Sequence, residues 1–190
     1  MTLRLATPAD APAVAAIYAP VVRDTTVSFE LDPPDAAAMA ARIAATFPKY
    51  PWLVADDGER VLGYAYAGAH RAREAYGWSV EPSVYVDAAA RGQGVGRALY
   101  AALLAVLRAQ GFGHAFAGVT LPNPASVGLH RAFGFEDVGV FRRVGFKDGR
   151  WCDVWWGGLA LDPGTPPAPP LSIPALAASG RLAALLGGAG

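Results

Sequence analysis

The sequence predicts an α/β domain built on one mixed sheet with helices on both faces. Helical stripes and β-rich alternating segments follow one another in the order β-α-α-β-β-β-α-β-α-β-β, which is neither strictly alternating nor segregated. The chain has 190 residues, of which 53% are hydrophobic and 17% are charged. This composition is that of a globular protein rather than a disordered one, and the length is near that of a single domain.

Charge and cysteine content exclude several classes of protein. The 16 basic and 16 acidic residues give a formal net charge of zero, which argues against a nucleic-acid binder and against a polybasic membrane-surface protein. The longest apolar run, residues 98–107, is half of the about 20 residues that span a bilayer. No signal-peptide pattern is present, and the single cysteine, Cys152, permits no internal disulfide. We therefore expect a soluble, cytoplasmic protein.

The N-terminal part predicts a strand followed by two helices. Residues 2–6 alternate in polarity, as strands do. Thr7 is a good N-cap for the next helix, and Pro8 suits its first position. The apolar stripe of this helix is Val14, Ile17, Tyr18 and Val21. Asp35 is the expected cap of a second helix. The stripe of that helix is Met39, Ile43 and Phe47.

Three strands are predicted next, because the pattern changes to period two. Residues 52–55 and 61–68 flank the turn sequence Asp56-Asp57-Gly58, which indicates a hairpin. Residues 78–86 form a further strand. It ends before the glycine-rich segment 91–96.

The second half predicts two helices and three strands. A helix over 97–110 ends at Gly111, a suitable C′ residue. A strand over 115–121 is broken by Pro122-Asn123-Pro124 and is followed by a short helix over 126–133. Residues 138–146 and 151–161 form a last hairpin.

A change in composition marks the end of the domain. Residues 163–174 hold six prolines, which is typical of extended chain. Residues 175–186 form one weak helix. We predict a domain over residues 1–162 and a Pro/Ala-rich tail, outside the core, over residues 163–190.

The sharpest local signal is the glycine-rich turn Arg91-Gly92-Gln93-Gly94-Val95-Gly96 between a strand and a helix. Its exposed N–H groups at the positive end of a helix suit a pyrophosphate. A P-loop is excluded because Arg97-Ala98 follows Gly96, and a Rossmann fingerprint because the glycine spacing is one residue short. A plain glycine-rich turn remains the alternative.

A family resemblance favours the pyrophosphate. Arg91, Gly94 and Gly96 match the pattern Arg/Gln-x-x-Gly-x-Gly/Ala. Further matching stretches are Tyr64-Ala65-Tyr66-Ala67-Gly68, Val80-Glu81, Ser83-Val84-Tyr85-Val86, Leu121-Pro122-Asn123, Leu129-His130, Gly134-Phe135, Val144-Gly145-Phe146-Lys147 and Trp151 with Asp153-Val154. With these the chain resembles the GNAT superfamily of acetyl-CoA-dependent N-acetyltransferases, and within it the phosphinothricin and methionine sulfoximine acetyltransferase branch.

The resemblance implies a mostly antiparallel sheet that is splayed between its fourth and fifth strands. Acetyl-CoA would lie in this gap, with its pyrophosphate on residues 91–96. The residues expected to pair with its pantetheine arm are Ser83, Val84, Tyr85 and Val86. Asn123 and Ser126 would hydrogen-bond the coenzyme, although both also suit helix capping. The family strand carries a bulge, and Pro82 is a departure that alters it.

The resemblance also implies the reaction. An amine must lose a proton before it attacks the thioester, and Glu81 stands where the family has its general base. His130 would assist the departing thiolate, with a structural role as the alternative. We expect no metal, because His70, His114 and His130 show no ligand spacing.

The acceptor is expected to be a small amino-acid-like amine. Arg71 and Arg73 suit its carboxylate. The other predicted pocket residues are Phe29, Tyr76 and Trp78. Gly77 and Asp148 depart from the family pattern, which leaves the acceptor open. The alternatives are a protein N-terminus or a polyamine as acceptor, or a non-catalytic acyl-CoA-binding module. By analogy with the branch, we expect a homodimer.

Overall fold

The computed structural model describes residues 1–162 and 164–187 and contains a seven-stranded mixed sheet in the order β1-β2-β3-β4-β5-β7-β6. The strands are β1 (Thr2–Leu5), β2 (Trp52–Asp56), β3 (Val61–Ala69), β4 (Ser79–Val86), β5 (His114–Thr120), β6 (Glu136–Lys147) and β7 (Arg150–Ala160). The helices are α1 (Ala11–Asp24), α2 (Ala36–Thr46), α3 (Val95–Gln110), α4 (Pro124–Ala132), α5 (Ile173–Ala178) and α6 (Arg181–Gly187). The predicted fold class is confirmed.

Helices cover both faces of the sheet, and β2 shows why. Leu53 and Ala55 point to one core, while Trp52 and Val54 point to another, because successive side chains alternate across a strand. The helix α3 contributes Leu99, Leu103 and Leu107 to the first core. The helices α1 and α2 contribute Val14, Tyr18, Met39 and Ile43 to the second. The sheet is therefore packed on both sides.

The strands β4 and β5 separate soon after they meet. They pair in parallel only at Ser79 with His114 and at Val80 with Ala115. Beyond these pairs β4 stays bonded to β3, and β5 stays bonded to β7. The predicted splay between the fourth and fifth strands is thus present, and we call the opening the wedge.

The wedge forms without the expected bulge. The register of β4 with β3 runs unbroken from Val80 to Val86, so no bulge forms at Glu81-Pro82 against β3. Pro82 lacks an N–H donor, and the open ladder on the β5 side tolerates that loss.

The C-terminal segment packs on the domain, in contrast to the prediction. Ile173, Leu176 and Leu182 are buried against Val106, on the face of α3 turned away from the sheet. The Gln110 amide donates to the carbonyl of Leu171, and the Ile173 N–H donates to that of Pro48. The expectation that the whole segment lies outside the core is wrong, because α3 is apolar on this face as well. The single predicted helix is divided at Gly180, which has a φ of +74°.

None of the helices in residues 1–162 and 164–187 has both the length and the apolar content to cross a membrane.

The packing of the C-terminal segment can be tested by truncating its buried leucine. Leu176→Ala should lower the free energy of unfolding by about 2–5 kcal/mol, since it leaves a cavity against α3. The exposed Leu171→Ala is the matched control and should change it by about 0.5 kcal/mol or less. Urea denaturation measures both. Equal effects would contradict the packing described here.

Candidate functional site

Three adjoining cavities occupy the wedge. The first, of about 330 Å³, is lined by Val27, Phe29, Glu81, Pro82, Ser83, Gly118, Thr120, Phe141, Val144, Val154 and Trp156; we call it the aromatic cavity. The second, of about 410 Å³, is lined by Val21, Thr25, Val27, Val84, Tyr85, Val86, Arg91, Gly96, Asn123, Ala125, Ser126 and Leu129; we call it the loop cavity. A gap of about 70 Å³, lined in part by His130, shares wall residues with both. The three cavities therefore adjoin one another along the wedge, and we call them together the channel.

The glycine-rich turn lies at one end of this channel. Gly92 and Gly94 have φ values of +75° and +81°, in the region that favours glycine, and Gly94 is the N-cap of α3. The helix begins at Val95, two residues earlier than predicted. A side chain at Gly96 would lie 3.2 Å from Val86 Cγ2, so glycine allows the helix to approach β4. The free N–H groups of the first turn, together with Arg91, make the loop cavity suited to an anion.

The β4 arm lines the channel with backbone. A strand that is paired on one side only turns alternate N–H and C=O groups to the open side. Beyond Val80 the open side of β4 is the wedge. The predicted residues that line the channel here are Ser83, Val84, Tyr85 and Val86. An extended ligand with amide groups can pair with this edge.

Asn123 is the N-cap of α4. Its side-chain oxygen accepts from the Ser126 N–H at 3.1 Å. The capping alternative is therefore realised for Asn123, whereas Ser126 supplies the N–H that is capped. Both residues also line the loop cavity and the gap.

His130 is buried beside the gap in a defined tautomer. Its Nδ1 lies 2.7 Å from the carbonyl oxygen of Ser126. A carbonyl only accepts, so the hydrogen sits on Nδ1 and the neutral ring has its lone pair on Nε2. The rings of Tyr100 and Phe135 each lie edge-on to it, 5.1 Å away. Burial lowers the pKa of His130. At neutral pH the ring is thus uncharged and offers a hydrogen-bond acceptor at Nε2, with no proton to donate from that atom.

Glu81 is the carboxylate in the wall of the aromatic cavity. It is the first residue of β4 beyond the last pair with β5. Its Oε1 lies 2.8 Å from Nδ1 of His70 and 3.6 Å from a guanidinium nitrogen of Arg71. The side chain is 35% exposed, so it faces the cavity while two neighbours hold one oxygen.

The predicted substrate-binding residues divide into two groups. Phe29 lines the aromatic cavity and packs closely on Gly145, where a Cβ would collide with its ring. Arg71 does not line this cavity but lies beside two residues that do: its guanidinium is 3.6 Å from Glu81 Oε1 and 5.9 Å from the Trp156 ring. Arg73, Tyr76 and Trp78 do not line the cavity either.

Trp78 has a different partner. Its indole N–H donates to the carbonyl of Ala168 at 2.8 Å, which ties β4 to the C-terminal segment. Arg73 and Tyr76 lie exposed in and beside the 3₁₀ turn Glu74–Tyr76. These placements do not support a contact with a substrate.

Sequence reasoning missed the far wall of the channel. Gly118 and Thr120 on β5, Phe141 and Val144 on β6, and Val154 and Trp156 on β7 all line the aromatic cavity. A splay between the fourth and fifth strands places the residues of the fifth strand opposite Glu81. The sequence therefore could have predicted the two β5 lining residues, Gly118 and Thr120. His70 was considered only as a metal ligand. The described part of the chain has no group of three or more metal-ligating residues.

Lys147 holds the loop that closes the aromatic cavity. Its buried ammonium donates to the carbonyls of Val22, Ser28 and Glu30, at 2.9 Å and 2.8 Å for the last two. Val27 and Phe29 lie on the loop between these acceptors. A hairpin lysine thus fixes two residues of the cavity wall.

The chain is similar to known acetyltransferases over most of its length. The family model described as acetyltransferase (GNAT) domain matches residues 3–156. A phosphinothricin N-acetyltransferase from Alcaligenes faecalis is 46% identical over 155 residues, which cover 80% of this chain and 79% of that protein. An L-methionine sulfoximine/L-methionine sulfone acetyltransferase from Pseudomonas paraeruginosa is 43% identical over 85% of this chain and 95% of that protein.

A solved structure shares the fold. A GNAT superfamily phosphinothricin acetyltransferase from Sinorhizobium meliloti, in complex with acetyl-CoA, matches with a TM-score of 0.83 and 41% identity. The match covers 88% of this chain and 92% of that one.

The role of Lys147 can be tested on the loop itself. Lys147→Met should raise amide hydrogen exchange across residues 22–30 about tenfold, because three buried carbonyls lose their donor. Lys49→Met replaces the other lysine, which is exposed, and should leave this exchange unchanged. Mass spectrometry of peptic fragments measures both. Unchanged protection in Lys147→Met would show that the loop is held by other contacts.

Proposed function

This chain belongs to the acetyltransferase (GNAT) family, and from that premise we propose that it transfers the acetyl group of acetyl-CoA to the primary amine of a small amino-acid-like compound. Phosphinothricin and methionine sulfoximine are the proposed acceptors, since relatives at 46% and 43% identity are named for them. The observation that carries the proposal is the series of adjoining cavities between the glycine-rich turn and Glu81.

The loop cavity is the proposed place of the coenzyme. Its pyrophosphate would accept hydrogen bonds from the backbone between Arg91 and Gly96 at the N-terminus of α3. The pantetheine arm would run along the open edge of β4 from Val86 to Ser83, in the place where a fifth-strand ladder is missing. This route brings the thioester to the narrow gap, next to the aromatic cavity.

The acceptor then occupies the aromatic cavity in a ternary complex. Glu81 takes the proton of the ammonium group, the free amine attacks the thioester carbonyl, and the C–S bond breaks as the tetrahedral intermediate collapses. The attacking nitrogen gives its second proton to solvent and becomes the neutral amide, while the departing thiolate takes a proton from solvent. His130 is neutral and offers the gap a lone pair at Nε2, so we assign it to accepting a hydrogen bond rather than to protonating the thiolate.

The cavity walls favour an amino acid with a compact side chain that is partly apolar. Phe29, Phe141 and Trp156 supply the apolar surface. Arg71, beside Glu81, is assigned to the acceptor carboxylate. A polyamine has no carboxylate, so it would gain no contact from Arg71. A protein N-terminus as acceptor, or a non-catalytic acyl-CoA-binding module, is distinguished by the experiment below.

The experiment is an assay of free coenzyme A with purified protein and a panel of amines. We expect release with phosphinothricin, methionine sulfoximine or methionine sulfone, and none with spermidine or a short peptide. Glu81→Gln should bind acetyl-CoA unchanged in calorimetry while kcat falls about 100-fold or more. Glu136→Gln alters an exposed glutamate on β6 and is the matched control.

Three results would contradict the proposal. Turnover of Glu81→Gln at the rate of the parent protein would remove Glu81 from the reaction. Release only with spermidine or the peptide would change the acceptor class. Acetyl-CoA binding without release for any amine would indicate a binding module.

We also propose that the protein forms a homodimer through β6 and acts in the cytoplasm. The edge strand β6 carries an apolar row, each member between 39% and 60% exposed: Val138, Val140, Phe141, Val144 and Phe146. Such rows on an edge strand are usually covered by a partner. Since Phe141 and Val144 also line the aromatic cavity, a second copy would narrow its mouth.

The cysteine content supports the cytoplasmic location. Cys152 is buried and unpaired, so the fold needs no oxidising compartment to form a disulfide.

Sedimentation equilibrium tests the dimer. The parent protein should sediment as a dimer at micromolar concentration, and Phe146→Asp should shift it to the monomer, because a charge is placed in an apolar interface. Leu31→Asp changes an equally apolar, exposed residue that lies off this strand and should leave the dimer intact. A parent protein that is monomeric under these conditions contradicts the proposal.

A further inference from the structure

We propose that His70 is a positioning residue for Glu81: it holds one carboxylate oxygen so that the other faces the acceptor amine. This inference rests on the proposed function, because it needs Glu81 to be the base.

The strand register places the two side chains together. In the β3–β4 hairpin Gly68 lies opposite Glu81 and Ala69 lies opposite Val80. His70 continues this register, since its N–H donates to the carbonyl of Ser79 at 3.3 Å. Side chains alternate across a strand, so His70 is on the same face of the sheet as Glu81 and diagonal to it. The 2.8 Å contact between Nδ1 and Oε1 follows from that placement.

The imidazole is fixed by aromatic rings from both sides of the wedge. It stacks on Phe116 of β5, with ring centroids 4.7 Å apart and planes 28° apart. The ring of Trp156 on β7 lies edge-on at 6.0 Å, and that of Tyr76 lies edge-on at 5.8 Å. Glu81 and Phe116 are the first residues of their arms beyond the last β4–β5 pair. His70 therefore sits at the vertex of the wedge and is only 13% exposed.

The contacts of Glu81 divide its two oxygens. A carboxylate accepts, so the imidazole donates from Nδ1 to Oε1. The guanidinium of Arg71 approaches the same oxygen at 3.6 Å. Oε2 is left for an amine in the aromatic cavity. A glutamate side chain that is 35% exposed would otherwise sample several rotamers. In most of these rotamers Oε2 would lie farther from the ammonium proton, which slows the proton transfer.

Two substitutions separate the hydrogen bond from the ring. His70→Phe keeps a ring to stack on Phe116 but has no donor. His70→Asn loses the ring but has an amide nitrogen close to the position of Nδ1. We expect His70→Phe to lower kcat about tenfold or more with the KM for acetyl-CoA unchanged, since the coenzyme cradle is elsewhere. His70→Asn should restore most of the lost kcat.

The matched control is the neighbouring histidine of β5. His114 lies 6.2 Å from the Phe116 ring, as ring centroids, and is exposed. His114→Phe should leave kcat and KM at parent values. The inference is overturned if His70→Phe also keeps the parent kcat and KM. It is likewise overturned if kcat falls in His70→Asn but not in His70→Phe, because the hydrogen bond then has no positioning role.

A spectroscopic readout separates this inference from the proposed function. The chain has three histidines, so long-range ¹H–¹⁵N correlation spectra can assign the tautomer of each ring. His70 should carry its hydrogen on Nδ1, and Glu81→Met, which removes the acceptor, should produce a mixture of tautomers. An identical His70 spectrum in both proteins overturns the inference. A parent protein that releases no coenzyme A with any amine overturns the proposed function instead, whatever the spectra show.

Discussion

The early end of the pairing between β4 and β5 is the constraint on which the rest of this molecule depends. Two parallel pairs join the strands, while each keeps a full ladder with its other neighbour, β3 or β7. Beyond those two pairs the strands separate. Their inner edges therefore present unpaired N–H and C=O groups, which are costly to bury without partners. A ligand with its own amides relieves that cost, and so a gap in the sheet becomes a binding channel.

The channel keeps its shape because its walls are held from outside. Helix α3 packs one face of the sheet, and α1 with α2 packs the other. The loop over the aromatic cavity has no regular structure, and Lys147 of the distant β6–β7 hairpin compensates by donating to two loop carbonyls, Ser28 and Glu30, and to Val22 in the last turn of α1. A buried ammonium is stable there because every one of its donors has an acceptor.

Sequence reasoning reached the parts of this structure that rest on local signals. Period-two alternation predicted the strands, and the glycines of residues 91–96 predicted the tight turn before α3, where Gly92 and Gly94 have positive φ. The role of His70 depends on its register with Glu81, eleven residues away, which composition does not reveal. The C-terminal segment reads as a Pro/Ala-rich tail, although its few large apolar residues suffice to cover the outer face of α3. Arg73 and Tyr76 follow a strand end near the channel, but the 3₁₀ turn carries them outward.

Two histidines border the wedge, and their partners determine what each can do. His130 gives its Nδ1 hydrogen to a carbonyl, which carries no net charge to stabilise a protonated ring, and burial lowers its pKa. It stays neutral beside the gap where the thioester would lie. His70 gives its Nδ1 hydrogen to the Glu81 carboxylate, in the wall of the wider cavity that fits an acceptor. In the proposed reaction, the carboxylate that would deprotonate the ammonium is thus held at the acceptor end of the channel, whereas the thiolate would depart past an uncharged ring. Because an amine must lose its proton before attack, the carboxylate belongs where the amine enters, and the register of one hairpin places it there.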